Sequence, residues 1–135
     1  MNLVSVRIIT ANIENLISFY ENVTGIEAVR YTPDFAEIRT ATATLAIGST
    51  KTLLFFGGDT IAQPAKNQTA IIEFFTEDVD KEYIRLKEFL ASCVVQEPTT
   101  MPWGNKSLLF RDPDGNLINF FTPVTRESVE KLGSV

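Results

Sequence analysis

The chain has no histidine. That absence removes the commonest transition-metal ligand and the one side chain that titrates unassisted near neutral pH, so any proton transfer or metal binding has to run on other groups. Cysteine is almost as scarce. A single Cys93, set among apolar residues after a helical stretch and with no imidazole to activate it, reads as a buried structural thiol and not as a nucleophile. Long apolar runs are missing as well: no segment approaches the roughly 20 residues needed to span a bilayer. The first residues, Met1 to Arg7, run straight into a strand-like pattern without a basic and then apolar leader, so the expectation is a cytoplasmic protein with no membrane partner. Positive charge is in deficit. Twelve Lys and Arg against 17 Asp and Glu give a formal net charge of −5, and no basic cluster alternates with aromatics, which argues against a nucleic-acid partner.

What is present suits one folded domain. At 135 residues, 44% hydrophobic and 21% charged, the chain can bury about two thirds of its unfolded surface without a disulfide staple. Val4, Val6 and Ile8 alternate with Ser5, Arg7 and Ile9, the period of a strand with two different faces. Asn12 is placed to cap a helix in which Ile13, Leu16, Ile17, Tyr20 and Val23 recur at helical spacing, and Gly25 is placed to end it. Short β-prone runs follow at 27–32, 35–40 and 42–47, with Lys51 to Phe56 as a further strand candidate and the polar stretch 57–68 as a linker. Then the order restarts. Residues 69–76 alternate again, Asp78 caps, and Val79, Tyr83, Leu86, Phe89 and Leu90 form a second apolar stripe, with Lys81, Glu82, Arg85, Lys87 and Glu88 on its solvated side. Ser5 and Ile71, Asn12 and Asp78, and Ile13 and Val79 are each 66 positions apart, so the chain carries an internal repeat. Strands around 94–96, 106–111 and 116–122 complete the second half, and residues 125–132 read as a terminal helix anchored by Val129 and Leu132.

The stretch Leu108 to Pro123, L-L-F-R-D-P-D-G-N-L-I-N-F-F-T-P, is a hairpin: Pro113 pre-sets φ, Asp112 can accept a backbone N–H, and Gly115 can enter the left-handed region between two apolar runs. Together with Trp103-Gly104 upstream, it resembles the closing hairpin of the vicinal oxygen chelate superfamily, which includes glyoxalase I, extradiol dioxygenases, fosfomycin-modifying enzymes and bleomycin-binding resistance proteins. The resemblance covers nearly the whole chain. It implies an α+β fold of two tandem βαβββ modules, about 1–57 and 69–123, forming a curved mixed sheet around a cleft with the helices outside. Metal-using members place four ligands, usually His and Glu, at positions that fall here on Ser5, Ala46, Ile71 and Asn119. Such a set offers a divalent ion almost nothing, so the expectation is no metal and no cofactor.

Strand parity puts Arg7, Glu73 and Asn119 on the inner faces, with Glu37 and Arg39 joining them in one register. Arg7 and Glu73 are repeat-equivalent and would face one another. They read either as a buried ion pair holding the modules in register or as ligand contacts, with Arg7 on an anionic group and Glu73 as a desolvated base. Trp103, on a loop, reads as a stacking platform for a planar ligand, and Phe75, Phe121 and Ser5 line the same expected cleft. The reading these residues favour is a metal-free protein that binds or sequesters an anionic or aromatic small organic ligand, as the bleomycin-binding branch does; the resemblance to the superfamily further implies a homodimer. Two others stay open: a metal-independent lyase or isomerase with Glu73 as general base, and a non-catalytic dimerisation module.

Overall fold

A computed structural model describes residues 1–58 and 60–133. The chain divides into two compact units, Met1–Asn67 with Pro113–Gly115, and Gln68–Asp112 with Asn116–Val135. Each contains a βαβββ module. In the first, β1 (Ser5–Thr10), α1 (Ile13–Thr24), β2 (Val29–Thr32), β3 (Phe35–Arg39) and β4 (Thr44–Ser49) build a four-stranded mixed sheet of order β1-β4-β3-β2. In the second, β5 (Ile71–Phe75), α2 (Val79–Leu90), β6 (Val94–Thr100), β7 (Asn105–Arg111) and β8 (Leu117–Pro123) give the order β5-β8-β7-β6. The two orders are equivalent strand for strand, and both helices are 12 residues long with starts 66 positions apart.

The repeat is set by local capping chemistry. Asn12 Oδ1 accepts from Asn15 N at 3.2 Å, and Asp78 Oδ1 accepts from Lys81 N at 3.1 Å, so each side chain satisfies one of the amide donors that a helix start leaves unpaired. Gly25 closes α1 in the left-handed region, its N–H reaching Glu21 O at 3.0 Å. The buried side of α1, Leu16, Ile17, Phe19, Tyr20 and Val23, covers Ala36, Ile38, Leu45 and Ile47 of its sheet. Those four share one face with Arg30, whose guanidinium reaches over to Glu14 of α1 at 2.8 Å. Val6 and Ile8 lie on this helix-facing side, as their parity implies. Because α1 lies over β3 and β4, Val6 on the edge strand stays exposed and Ile8 only half-buried. In the second module α2 buries Val79, Leu86 and Leu90 toward Leu108, Phe110, Ile118 and Phe120. Thr122 of β8 pins the helix start by accepting from Val79 N at 2.9 Å while donating to Thr76 O at 2.7 Å.

Several expectations are corrected. Residues 50–56 form a 3-10 helix and not a strand: Ser49 Oγ accepts from Lys51 N at 3.2 Å, Thr52 and Leu53 are buried as neighbours instead of alternately, and Gly57 at φ 100 ends the turn. The sheet is already complete beside β4, which has β1 on one side and β3 on the other, so a fifth strand has no ladder to join. Phe89 is exposed, turned off the stripe that Leu86 and Leu90 bury. Cys93 is an exposed free thiol, because the 3-10 turn Ala91–Cys93 after α2 buries none of its residues. Strand β6 runs to Thr100, longer than expected, and crosses Pro98 with register shifts between Val94 and Gln96 and between Gln96 and Thr99. Edge strand β2 is shifted too, between Arg30 and Thr32.

The terminal helix α3 (Arg126–Leu132) is anchored by Ser128, not by the exposed Val129. Thr125 and Ser128 form a capping box, and Ser128 Oγ donates to Gly104 O at 2.9 Å. The same carbonyl accepts from Val124 N at 2.9 Å and Thr125 N at 3.3 Å. Gly104 holds φ +92, and a Cβ there would stand 2.1 Å from Thr125 Oγ1, so the glycine after Trp103 is what lets α3 dock. The D-P-D-G-N turn closes as its residues imply, with Asn116 N and Nδ2 donating to the Asp112 carboxylate at 2.9 and 2.7 Å and Gly115 at φ +83. No helix among the described residues is long and apolar enough to cross a membrane.

Candidate functional site

Each sheet has a face turned away from its helix, and the candidate residues lie there. In the first module the parallel register sets Arg7 beside Ala46, and the antiparallel one sets Glu37 on the other side of Ala46. One row toward the strand ends, Ile9, Gly48 and Phe35 are partners. Gly48 makes room for Thr52: a Cβ there would stand 2.9 Å from Thr52 Oγ1 but in ordinary contact with Arg7 Cδ at 3.6 Å. The guanidinium carbon of Arg7 sits 4.7 Å from the Phe35 ring centroid and 5.3 Å from that of Phe56. Both distances are within cation–π range. Among the described residues the Arg7 guanidinium makes no hydrogen bond and no ion pair.

Arg39 on the same face is in the opposite condition. Its guanidinium bonds Glu37 Oε1 at 3.0 and 3.1 Å, donates to the Tyr31 hydroxyl and stacks 5.6 Å from the Tyr31 ring, while Tyr31 itself donates to Glu37 at 2.9 Å. Tyr31 and Phe35 are ring neighbours at 5.8 Å, so the two arginines flank one aromatic run. Arg39 has a counter-ion at hand. Among the described residues Arg7 has none, and its donors are unspent. Ser5 lies one row on, beside Thr44 and in line with Arg39, and is exposed.

In the second module the equivalent row is Glu73, Asn119 and Leu109. Asn119 Nδ2 donates to Glu73 Oε2 at 2.8 Å. Asn119 is only 8% exposed, and its Oδ1 is buried with no hydrogen-bond partner among the described residues. Phe75, Phe121 and Ser107 form the next row, the two rings meeting edge to face at 6.3 Å. Phe75 is exposed and Phe121 half-buried. Trp103 stands apart from this group: it precedes β7, is 65% exposed, and makes no ring contact among the described residues.

Arg7 and Glu73 are both exposed, so neither is a buried charge, and each takes partners from its own module. The register also bears on the four positions that metal-using relatives would fill. Arg7 pairs with Ala46 as Glu73 pairs with Asn119, which makes Ala46 and Asn119 equivalent. Ser5, Ala46, Ile71 and Asn119 do not fit a divalent ion, because an alanine methyl and an isoleucine supply no donor at all and a lone hydroxyl and amide supply weak ones. Sequence reasoning missed Phe35 and Phe56 as the platform for Arg7. Phe35 could have been found, since it shares parity with Glu37; Phe56 could not, because it reaches Arg7 only through the 3-10 helix.

The family model for the glyoxalase/bleomycin resistance protein/dioxygenase superfamily matches residues 2–120. The chain belongs to that superfamily. It is 29% identical over 115 residues to the uncharacterized protein YwbC of Bacillus subtilis (strain 168), covering 84% of this chain and 91% of that one. Among solved structures, a superfamily enzyme from Burkholderia phytofirmans PsJN matches with a TM-score of 0.78 at 15% identity, over 92% of this chain and 100% of the other. A superfamily protein from Nocardioides gives 0.76 at 18% identity, over 93% and 85%. At those identities the likeness establishes the fold. Within the superfamily this chain combines a histidine-free sequence with an arginine on an aromatic platform in one module and a carboxylate–amide pair in the other.

Proposed function

We propose that the chain is a metal-free small-molecule binding or sequestering protein, similar in role to the bleomycin-resistance branch of its superfamily, which takes the anionic group of a planar organic ligand on Arg7. The observation that carries this reading is the condition of the Arg7 guanidinium, held over Phe35 and Phe56 with no carboxylate or hydrogen-bond acceptor spent on it among the described residues. An arginine fixed in this way has lost side-chain freedom before a ligand arrives, and its fork of N–H donors matches a carboxylate or phosphate in two parallel hydrogen bonds. The exposed Phe56 and half-buried Phe35 add ring surface for a planar ligand body. In this reading the protein is a cytoplasmic homodimer without a cofactor.

Titration with benzoate, followed by amide chemical shifts, tests it. Saturable shifts should centre on β1, Phe35 and Phe56, and Arg7→Met should weaken binding about tenfold to a hundredfold, the equivalent of about 1.5–3 kcal/mol for a charged hydrogen-bonded contact. Arg39→Met, which removes a guanidinium already neutralised by Glu37, should leave the affinity within a few-fold. Equal losses in the two variants, or shifts that avoid β1, would refute the proposal.

A further inference from the structure

The second module holds an acceptor that its own hydrogen bonds do not satisfy. Asn119 is more than nine-tenths buried; its amide nitrogen is committed to Glu73 Oε2 at 2.8 Å, so Oδ1 is turned away from Glu73 and has no donor among the described residues. A buried carbonyl oxygen without a donor is costly, and such an atom in a folded protein calls for a reason. Nor can the amide relieve the fault by turning over. Exchanging O and N would set the carbonyl oxygen against the Glu73 carboxylate, acceptor to acceptor, so the carboxylate holds the amide in the orientation that leaves Oδ1 open.

We infer that Glu73 and Asn119 form an acceptor pair for a cationic, multi-donor nitrogen group on an aromatic ligand, of the amidinium or primary ammonium class. Glu73 supplies the negative charge and is exposed on the same face, Asn119 Oδ1 supplies the second acceptor, and the Phe75 and Phe121 rings one row on supply the apolar surface for an attached ring. Oδ1 is closed to solvent, so a flat amidinium reaches it by displacing the half-buried Leu109 side chain and then gives one N–H to each acceptor. This goes beyond the anion site on Arg7 while resting on the same small-molecule-binding reading.

The test is a titration of the full chain with benzamidine, with benzoate run in parallel, read by amide chemical shifts. Saturable shifts are expected on β5, β8 and the middle of β7, with Glu73→Gln and Asn119→Leu each weakening benzamidine at least about tenfold and Lys87→Met, on the solvated side of α2, leaving it unchanged. Asn119→Leu should keep or raise the thermal midpoint, because it deletes the unsatisfied acceptor. No saturable binding, shifts confined to other strands, or wild-type affinity in Glu73→Gln or Asn119→Leu overturns the inference. Should Asn119→Leu fail to fold, wild-type affinity in Asn119→Ala, which also deletes the acceptor, overturns it instead. Benzoate failing while benzamidine binds removes the Arg7 site and leaves this one standing.

Discussion

Replacing Gly104 with alanine tests whether the glycine of the Trp-Gly pair is there for packing. The added Cβ would lie 2.1 Å from Thr125 Oγ1, 3.0 Å from Thr125 Cγ2 and 3.1 Å from Ser128 Cβ, at a residue whose φ is +92. Two costs arise. Holding a residue with a Cβ in that backbone region costs about 1–3 kcal/mol. Relieving the collision means moving the start of α3, and overpacking of this kind costs about 1–3 kcal/mol. Since the Gly104 carbonyl accepts from Val124, Thr125 and Ser128 at once, the movement loosens the whole helix start. The expected loss is ~3–5 kcal/mol in guanidinium denaturation, a large share of the ~5–15 kcal/mol that holds a domain folded. Thr125→Gly alone should cost only a few tenths of a kcal/mol as a cap replacement. Combined with Gly104→Ala it removes the colliding Oγ1 and Cγ2, so the double variant should recover ~1–3 kcal/mol. A Gly104→Ala chain within about 1 kcal/mol of the natural one, or a double variant no better than the single, would show that the close approach is not what the glycine permits.

Asn12→Ala and Asp78→Ala should each cost about 1 kcal/mol by chemical denaturation, and the double variant should show their sum, because each side chain caps only its own helix. Tyr83 should ionise above its ordinary value of 10.0 in a spectrophotometric titration, since its hydroxyl donates to Glu97 Oε1 at 2.8 Å and only the neutral phenol can donate. The stability this bond adds is present below the unfolded-state value and lost as pH rises through the raised folded one; Glu97→Gln should bring the titration back down. Elemental analysis of the purified chain should find no stoichiometric Ni, Zn, Fe or Mn, and about one metal per chain surviving chelation would contradict the reading of Ser5, Ala46, Ile71 and Asn119.

The parts of the fold legible in advance were those written in local chemistry. Asn12, Gly25 and Asp78 mark helix ends by hydrogen bonds to backbone a few positions away, so an offset of 66 could be read without knowing any tertiary contact. Strand parity likewise separated Arg7 and Glu73 from the helix-facing residues. Other features depended on what the rest of the module does. Lys51 to Phe56 has a strand's composition, but whether it pairs turns on whether β4 has a free edge, and β1 takes that edge. Ser128 is polar and was passed over for Val129, although a buried serine with a carbonyl to donate to anchors a short helix better than a valine facing water. Of the candidate site, Glu73 and Asn119 were placed on one face by parity, but their shared row and the bond that leaves Asn119 Oδ1 unmet depend on a register and an amide orientation that no spacing encodes.

The register shifts in β2 and β6 matter most at high protein concentration. These two strands hold equivalent outer positions in their sheets, and an outer strand offers a row of unpaired backbone groups onto which another chain can add. In both, the shift breaks the even spacing such addition needs, and Pro98 deletes a further donor from β6. A crowded compartment, or a refolding mixture full of half-formed sheets, therefore meets a ragged border on that side of either module. The irregularity found twice serves as protection against fibrils, and straightening it by deleting a bulged residue would trade a tidier ladder for a chain that precipitates.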